Sequence, residues 1–99
     1  MKRLQFLQAA EEEFLEAVAW YENIESGLGQ RFRRAVEAAT GLATALPQAG
    51  APWRHGTRRV LPKNFPYSII YREEKDVVVV YAVAHFRRRP DYWRKRAGK

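Results

Sequence analysis

Apolar positions along the chain change period halfway through it. From Ala9 onward, Ala10, Phe14, Ala17, Val18 and Tyr21 fall on one stripe of an amphipathic helix, with Glu11, Glu12, Glu13 and Glu16 outside it or near its start. Those acids suit the positive end of a helix. Glu25-Ser26-Gly27-Leu28-Gly29 breaks the pattern, and Ser26 is placed to cap a second helix reaching Leu46. Its stripe is Leu28, Phe32, Ala35, Val36, Ala39, Leu42, Ala43 and Leu46, and Pro47 ends it because proline has no N–H to continue the helical ladder. So short a link predicts an antiparallel helical hairpin.

The second half reads as strands. Residues 3–7 already suit a short opening strand that pairs elsewhere in the sheet. Residues 48–56, with prolines and glycines on both sides of Trp53, read as a loop, and 57–61 as a strand entering the turn Pro62-Lys63-Asn64-Phe65-Pro66. The runs 67–72 and 77–85 flank the polar Glu73-Glu74-Lys75-Asp76 and predict a β-hairpin. An even turn puts Ser68, Ile70 and Arg72 on one face with Val77, Val79, Tyr81, Val83 and His85. Tyr67, Ile69, Tyr71, Val78, Val80, Ala82 and Ala84 then take the other, which the small alanines suit to helix packing. Pro90 is placed to start a short helical turn, Asp91-Tyr92-Trp93-Arg94, that folds the tail back on the sheet with Trp93 as a packing anchor. The expectation is a single α+β domain over residues 1–99: an N-terminal strand, a helical hairpin on one face of an antiparallel sheet, and a short helical tail.

Charge divides the chain the same way. Residues 1–50 carry five Lys/Arg against seven Asp/Glu, a net of −2, and 51–99 carry thirteen against four, a net of +9. The basic half calls for an acidic counterpart: nucleic acid, an acidic protein segment or an anionic surface. With 46% hydrophobic residues the chain has ample apolar surface for a core, which excludes a disordered polar tail. No cysteine is present, which removes disulfides and thiolate metal sites. No apolar run has the length of a signal peptide or a membrane span, so the cytoplasm is the expected location and no membrane partner is expected.

Candidate chemistry clusters late in the chain. His85 precedes Phe86-Arg87-Arg88-Arg89; an imidazole among cations suits a neutral general base, and equally a strand-end ring that packs locally. It stands eight residues beyond Val77, ~26 Å at ~3.3 Å per residue, so Arg72 and His85 cannot share one small pocket. A site near His85 must recruit the Ser68 end of the partner strand and the start of the tail. Arg87, Arg88, Arg89, Arg94, Lys95 and Arg96, interleaved with Phe86, Tyr92 and Trp93, have the guanidinium forks and ring faces used in RNA recognition; the alternative is a solvated basic edge. Arg58, Arg59 and Lys63 extend this surface, where cations would hold phosphates and stabilise charge at a scissile one without a metal. His55, alone in a glycine- and proline-rich loop, reads as incidental, and the two histidines lack a metal-ligand spacing, so neither metal nor cofactor is expected. Glu11, Glu12 and Glu13 read as a helix start and not an acid/base dyad. Gly27 and Gly29 lack the strand context of a phosphate-binding loop.

Trp20-Tyr21-Glu22, Gly27-Leu28-Gly29-Gln30-Arg31-Phe32, Phe65-Pro66-Tyr67-Ser68-Ile69-Ile70-Tyr71 and Val83-Ala84-His85-Phe86-Arg87-Arg88-Arg89-Pro90-Asp91-Tyr92-Trp93, in this order and spacing, resemble the RelE/ParE superfamily of toxins from type II toxin–antitoxin systems, and within it the ParE-like, plasmid-stabilisation type. The resemblance covers nearly the whole chain. It implies a small cytoplasmic growth inhibitor held in a hetero-oligomer by a cognate antitoxin, whose acidic or amphipathic segment would lie across Arg59, Arg72 and the run Arg87, Arg88, Arg89. It also implies two mechanisms: binding and poisoning DNA gyrase, or metal-independent cleavage of messenger RNA on the ribosome. A non-toxic basic interaction module is the third reading. For the nuclease, Arg59, Arg88 and Tyr92 fall where RelE-like enzymes place phosphate-binding and catalytic groups, and His85 is a further catalytic candidate that, with Arg87, would compensate for missing cations. Ser68 and Phe86 stand where those enzymes carry further arginines, which weakens that mechanism. The wider binding set is Arg58, Arg59, Lys63, Arg72, Arg87, Arg88, Arg89 and Arg94.

Overall fold

The structure, a computed structural model, describes Met1 to Gly98. Strand β1 (Arg3–Phe6) leads into helices α1 (Gln8–Ile24) and α2 (Leu28–Ala45). Strands β2 (Ala51–Pro52), β3 (Arg58–Val60), β4 (Tyr67–Glu74) and β5 (Val77–His85) follow, and a 3-10 helix, Arg94–Ala97, closes the described chain. The five strands form one sheet in the order β1-β5-β4-β3-β2. All neighbours are antiparallel except β1, which runs parallel to β5 with Leu4 opposite Val78, so the sheet is mixed where an antiparallel one was expected. A helical hairpin between β1 and the rest of the sheet makes this possible, because a parallel pair requires a long crossover. Residues 51–52 form a strand where the sequence reads as loop; Pro52 is tolerated there because β2 is an edge.

The helical hairpin covers one sheet face. Ala10, Phe14 and Ala17 of α1 are buried, and Phe14, Tyr21, Phe32, Phe65 and Tyr67 pack ring against ring at centroid separations of 5.0–6.2 Å. In α2 the buried stripe is rotated from the expected one. Leu42 and Leu46 are 46% and 59% exposed, and Thr40 and Thr44 are buried in their place. Each threonine hydroxyl donates back to a helix carbonyl, Thr40 to Val36 at 3.0 Å and Thr44 to Gly41 at 2.9 Å, which leaves its methyl free to pack. Ser26 does not cap α2. The cap is Gly27 at φ 90°, a left-handed conformation that glycine adopts without a Cβ penalty, and the Glu22 carboxylate accepts from the N–H groups of Gly27 (2.9 Å) and Gly29 (3.0 Å). The helices touch at Gly29, where a Cβ would lie 2.6 Å from the Val18 carbonyl oxygen.

The hairpin turn is two residues, Lys75 and Asp76, and the strands extend through Glu74 and Val77. Near the turn the faces are as expected: Arg72 lies opposite Val79, and Tyr71 opposite Val80 on the helix side. Between Ile70 and Tyr71 the register shifts, so that Ile70 pairs with Ala82 and Tyr67 with His85. This β-bulge places one extra residue in β5 and inverts its alternation from there on. Val83 therefore joins the helix-side core, and Ala82 and Ala84 join the opposite face with Ile70, Val79, Tyr81, Trp93 and Ala97. The expected facing of Val83, His85, Ala82 and Ala84 is corrected accordingly.

Candidate functional site

The bulge decides what meets on the open sheet face. Because Ala84 now stands beside Ile70 and Ser68, two small residues leave a depression of about 420 Å³ at the end of β4 and β5. Its floor is Ile70 and Ala84, its walls Leu61, Phe86 and Pro90, and its inner end the indole of Trp93. Trp53, Arg59, Ser68, His85, Arg88 and Arg89 complete the lining, with no carboxylate among those residues. His85 and Arg88 also border a shallower groove beside Glu16 and Trp20 of α1.

Several of the cations are positioned by specific contacts. Arg59 shares the Ile70 face of the sheet, lies over the Trp53 ring at 3.9 Å and donates to Ser68 Oγ at 3.4 Å. Arg54 is also over that ring, at 5.6 Å. Arg88 stacks on Tyr92 at 3.8 Å. Arg72 lies on the same face but away from the pocket, over Tyr81 at 5.2 Å and donating to the His55 carbonyl at 3.1 Å. Arg58 is on the helix side opposite Tyr71, its guanidinium donating to the Gly50 carbonyl at 2.7 Å, where it serves the fold. Lys63, Arg87, Arg89 and Arg94 are exposed.

The groups suited to proton transfer are engaged elsewhere. His85 stands edge-on to Tyr67 at 5.1 Å, and its Nδ1 accepts the Arg87 backbone N–H at 3.0 Å. That bond places the neutral ring's proton on Nε2, leaving no free acceptor nitrogen. The Tyr92 hydroxyl donates to Glu13 at 2.8 Å; burial, and then the Glu13 carboxylate, push its pKa well above the ordinary tyrosine range. Tyr92 is absent from the pocket lining, and the His85 ring turns to Tyr67 on the helix side at the strand end, so of the four candidate catalytic groups Arg59 and Arg88 meet on the open side and His85 and Tyr92 do not.

Glu13 proves to be the centre of the tail's attachment. Its carboxylate accepts from Tyr92, from both terminal nitrogens of Arg96 at 3.0 Å and from the Val83 N–H at 3.0 Å. Burial alone would lower the Arg96 pKa, and the Glu13 pairing outweighs it and raises it. The reading of Glu13 as a mere helix start missed this. The available signal was its place beside Phe14 and one turn before Ala17, at the border of the buried stripe, where a carboxylate requires partners. Trp53 was read only as part of a loop; its signal was a lone indole just ahead of the basic strand. Trp93 is 1% exposed and anchors the tail, with Nε1 donating to the Pro90 carbonyl at 3.1 Å. His55 packs edge-on against Trp93 at 5.8 Å, its Nε2 3.8 Å from the Asp91 carboxylate. Among the described residues no cluster of three or more metal-ligating side chains occurs, and no helix is long and apolar enough to cross a membrane.

Residues 4–90 match the family model of the ParE toxin of type II toxin-antitoxin system, parDE. Among solved structures, a chain described as the chromosomal ParDE TA system from P. aeruginosa superposes with a TM-score of 0.68 at 19% identity, covering 86% of this chain and 96% of that one. At that identity the likeness speaks for the fold. The comparison with curated proteins returned no match. The family match spans nearly all of the chain, and this protein belongs to the ParE toxin family of type II toxin–antitoxin systems.

Proposed function

We propose that the chain is a growth-inhibiting toxin that acts by binding a protein, DNA gyrase, in the cytoplasm, and that a cognate antitoxin neutralises it in a hetero-oligomeric complex. The observation that carries this reading is the state of the pocket's polar groups. A metal-independent nuclease requires a free base or acid and unencumbered cations at one phosphate. Here His85 Nδ1 and the Tyr92 hydroxyl are both hydrogen-bonded away from the pocket, and Ser68 supplies a hydroxyl where RelE-like enzymes carry a cation. What remains is a cationic, partly apolar surface formed by Arg59, Arg88 and Arg89 and extended by Lys63, Arg72, Arg87 and Arg94. Such a surface suits the recognition of an acidic protein.

Controlled expression in a host lacking the antitoxin tests it. Growth arrest with a DNA-damage response and intact messages is the expected result. Codon-phased cuts in translated RNA that vanish in an Arg88→Ala, Tyr92→Phe variant would establish the ribosome-dependent nuclease instead. Absence of any growth effect would leave the basic interaction module.

A further inference from the structure

The open-face pocket combines two features that select for a particular ligand. Its floor is apolar, formed by Ile70 and Ala84 with Leu61 and Pro90 beside them, and its rim carries three guanidiniums and no carboxylate. A volume of about 420 Å³ accommodates one large side chain. An anion with an apolar body fits both features. A nucleotide and an acidic peptide both meet that description, and the aromatic rings separate them.

Sequence-tolerant binding of single-stranded nucleic acid relies on ring faces free to stack against bases. Here most of those faces are taken, the exposed Phe86 ring on the pocket's lip being the exception. Arg59 covers the Trp53 ring at 3.9 Å, Arg88 covers Tyr92 at 3.8 Å, and Trp93 is 1% exposed. A guanidinium held over a ring keeps N–H groups free at its edge, and such an edge grips a carboxylate through two hydrogen bonds. Phe86, 55% exposed on the pocket's lip, adds apolar contact for a chain lying across it.

We infer that the pocket seats one aliphatic or aromatic side chain from an acidic segment of the toxin's protein target, with Arg59, Arg88 and Arg89 gripping the flanking carboxylates. This rests on the reading that the toxin acts by binding a protein. It adds where the target docks and which chemistry is recognised, and it makes a nucleobase the competing outcome of the test. The apolar anchor supplies affinity, and the guanidiniums set register and attraction.

The test uses the full chain and three probes of equal formal charge: a dodecapeptide of Glu and Asp with one central Leu, the same peptide with Ala in that place, and a single-stranded RNA. Affinity is measured by anisotropy, and the contacted residues by amide chemical shifts. The Leu peptide is expected to bind about tenfold more tightly than the Ala peptide, since the larger side chain leaves water for the pocket. Its shifts should centre on Ser68, Ile70 and Ala84. Leu61→Ala and Arg89→Glu, both at exposed positions, should each weaken the Leu peptide while leaving the unfolding midpoint unchanged. Equal binding of the two peptides, no binding of either, or an RNA that shifts the same amides more tightly would overturn the inference. Gyrase inhibition by the same preparation keeps the two readings apart. Anchor-dependent peptide binding with gyrase untouched supports the pocket and removes gyrase as the target. Inhibited gyrase with anchor-independent peptide binding overturns the pocket and leaves the target standing.

Discussion

The two faces of the sheet are built from the same strands and do opposite work. On the helix side, Phe14, Phe32, Tyr67, Ile69, Tyr71, Val78, Val80 and Val83 close into an apolar core with the helical hairpin over it. On the open side, a smaller buried cluster around Ile70, Val79, Tyr81 and Ala84 is packed by Trp93 and Ala97. Guanidiniums border the depression beside it. The helix-side face is filled by the core, while the recognition surface proposed above lies on the other, where the bulge in β5 sets which residues face it. Glu13 joins the two, holding the tail of the open face to the first helix of the closed one.

This division is broken most severely from the helix side. Phe32→Ala, at a fully buried ring touching Phe14, Tyr21, Phe65 and Tyr67, should cost about 3–5 kcal/mol in denaturant unfolding. Glu13→Ala removes the acceptor of Arg96, Tyr92 and the Val83 N–H. It should cost about 2–3 kcal/mol and speed hydrogen exchange in residues 92–97 before the rest of the chain; uniform exchange throughout would show that the tail is not a separate unit. Gly29→Ala pushes a methyl against the Val18 carbonyl and should cost about 1–3 kcal/mol, with α1 and α2 forced apart. Alkaline pH gives a smaller effect. Burial, with Tyr21 beside it, pushes the Tyr67 pKa from its ordinary 10.0 up to about 12. The folded state thus holds the phenol's proton more tightly than the unfolded one. The resulting stabilisation is complete below pH 10.0 and is lost as pH rises toward about 12. Denaturation midpoints should fall across that window, and Tyr67→Phe should flatten the fall. Smallest on stability is Arg87→Ala with Arg89→Ala, both exposed, within ~0.5 kcal/mol of the parent. Loss of activity in that folded variant sharpens the division, and a large loss of stability breaks it.

Local rules were enough for much of the fold. The period of Ala10, Phe14 and Ala17 gave α1, Pro47 bounded α2, and the β-rich runs gave β4 and β5. What remained hidden depended on contacts distant in sequence. Nothing local in Val-Tyr-Ala-Val marks Tyr81 as the place where the alternation inverts; the bulge follows from pairing with Ile70 and Tyr71. Thr40 and Thr44 outrank Leu42 and Leu46 in burial because the sheet fixes the rotation of α2, overriding side-chain hydrophobicity. At the site, strand length correctly separated Arg72 from His85 and brought Ser68 to the His85 end. The pocket floor was out of reach, because Ala84 faces Ile70 only after the bulge.

In the function proposed above, the open face inhibits by holding a protein rather than by cutting RNA. Purified gyrase, assayed for supercoiling and trapped DNA cleavage with the chain and with its Arg88→Ala, Arg89→Ala variant, tests it most directly. The parent should block supercoiling and accumulate broken DNA, and the variant should do neither while unfolding at the same midpoint. Gyrase unaffected by the parent at concentrations that arrest growth, with cut messages on translating ribosomes, would contradict it.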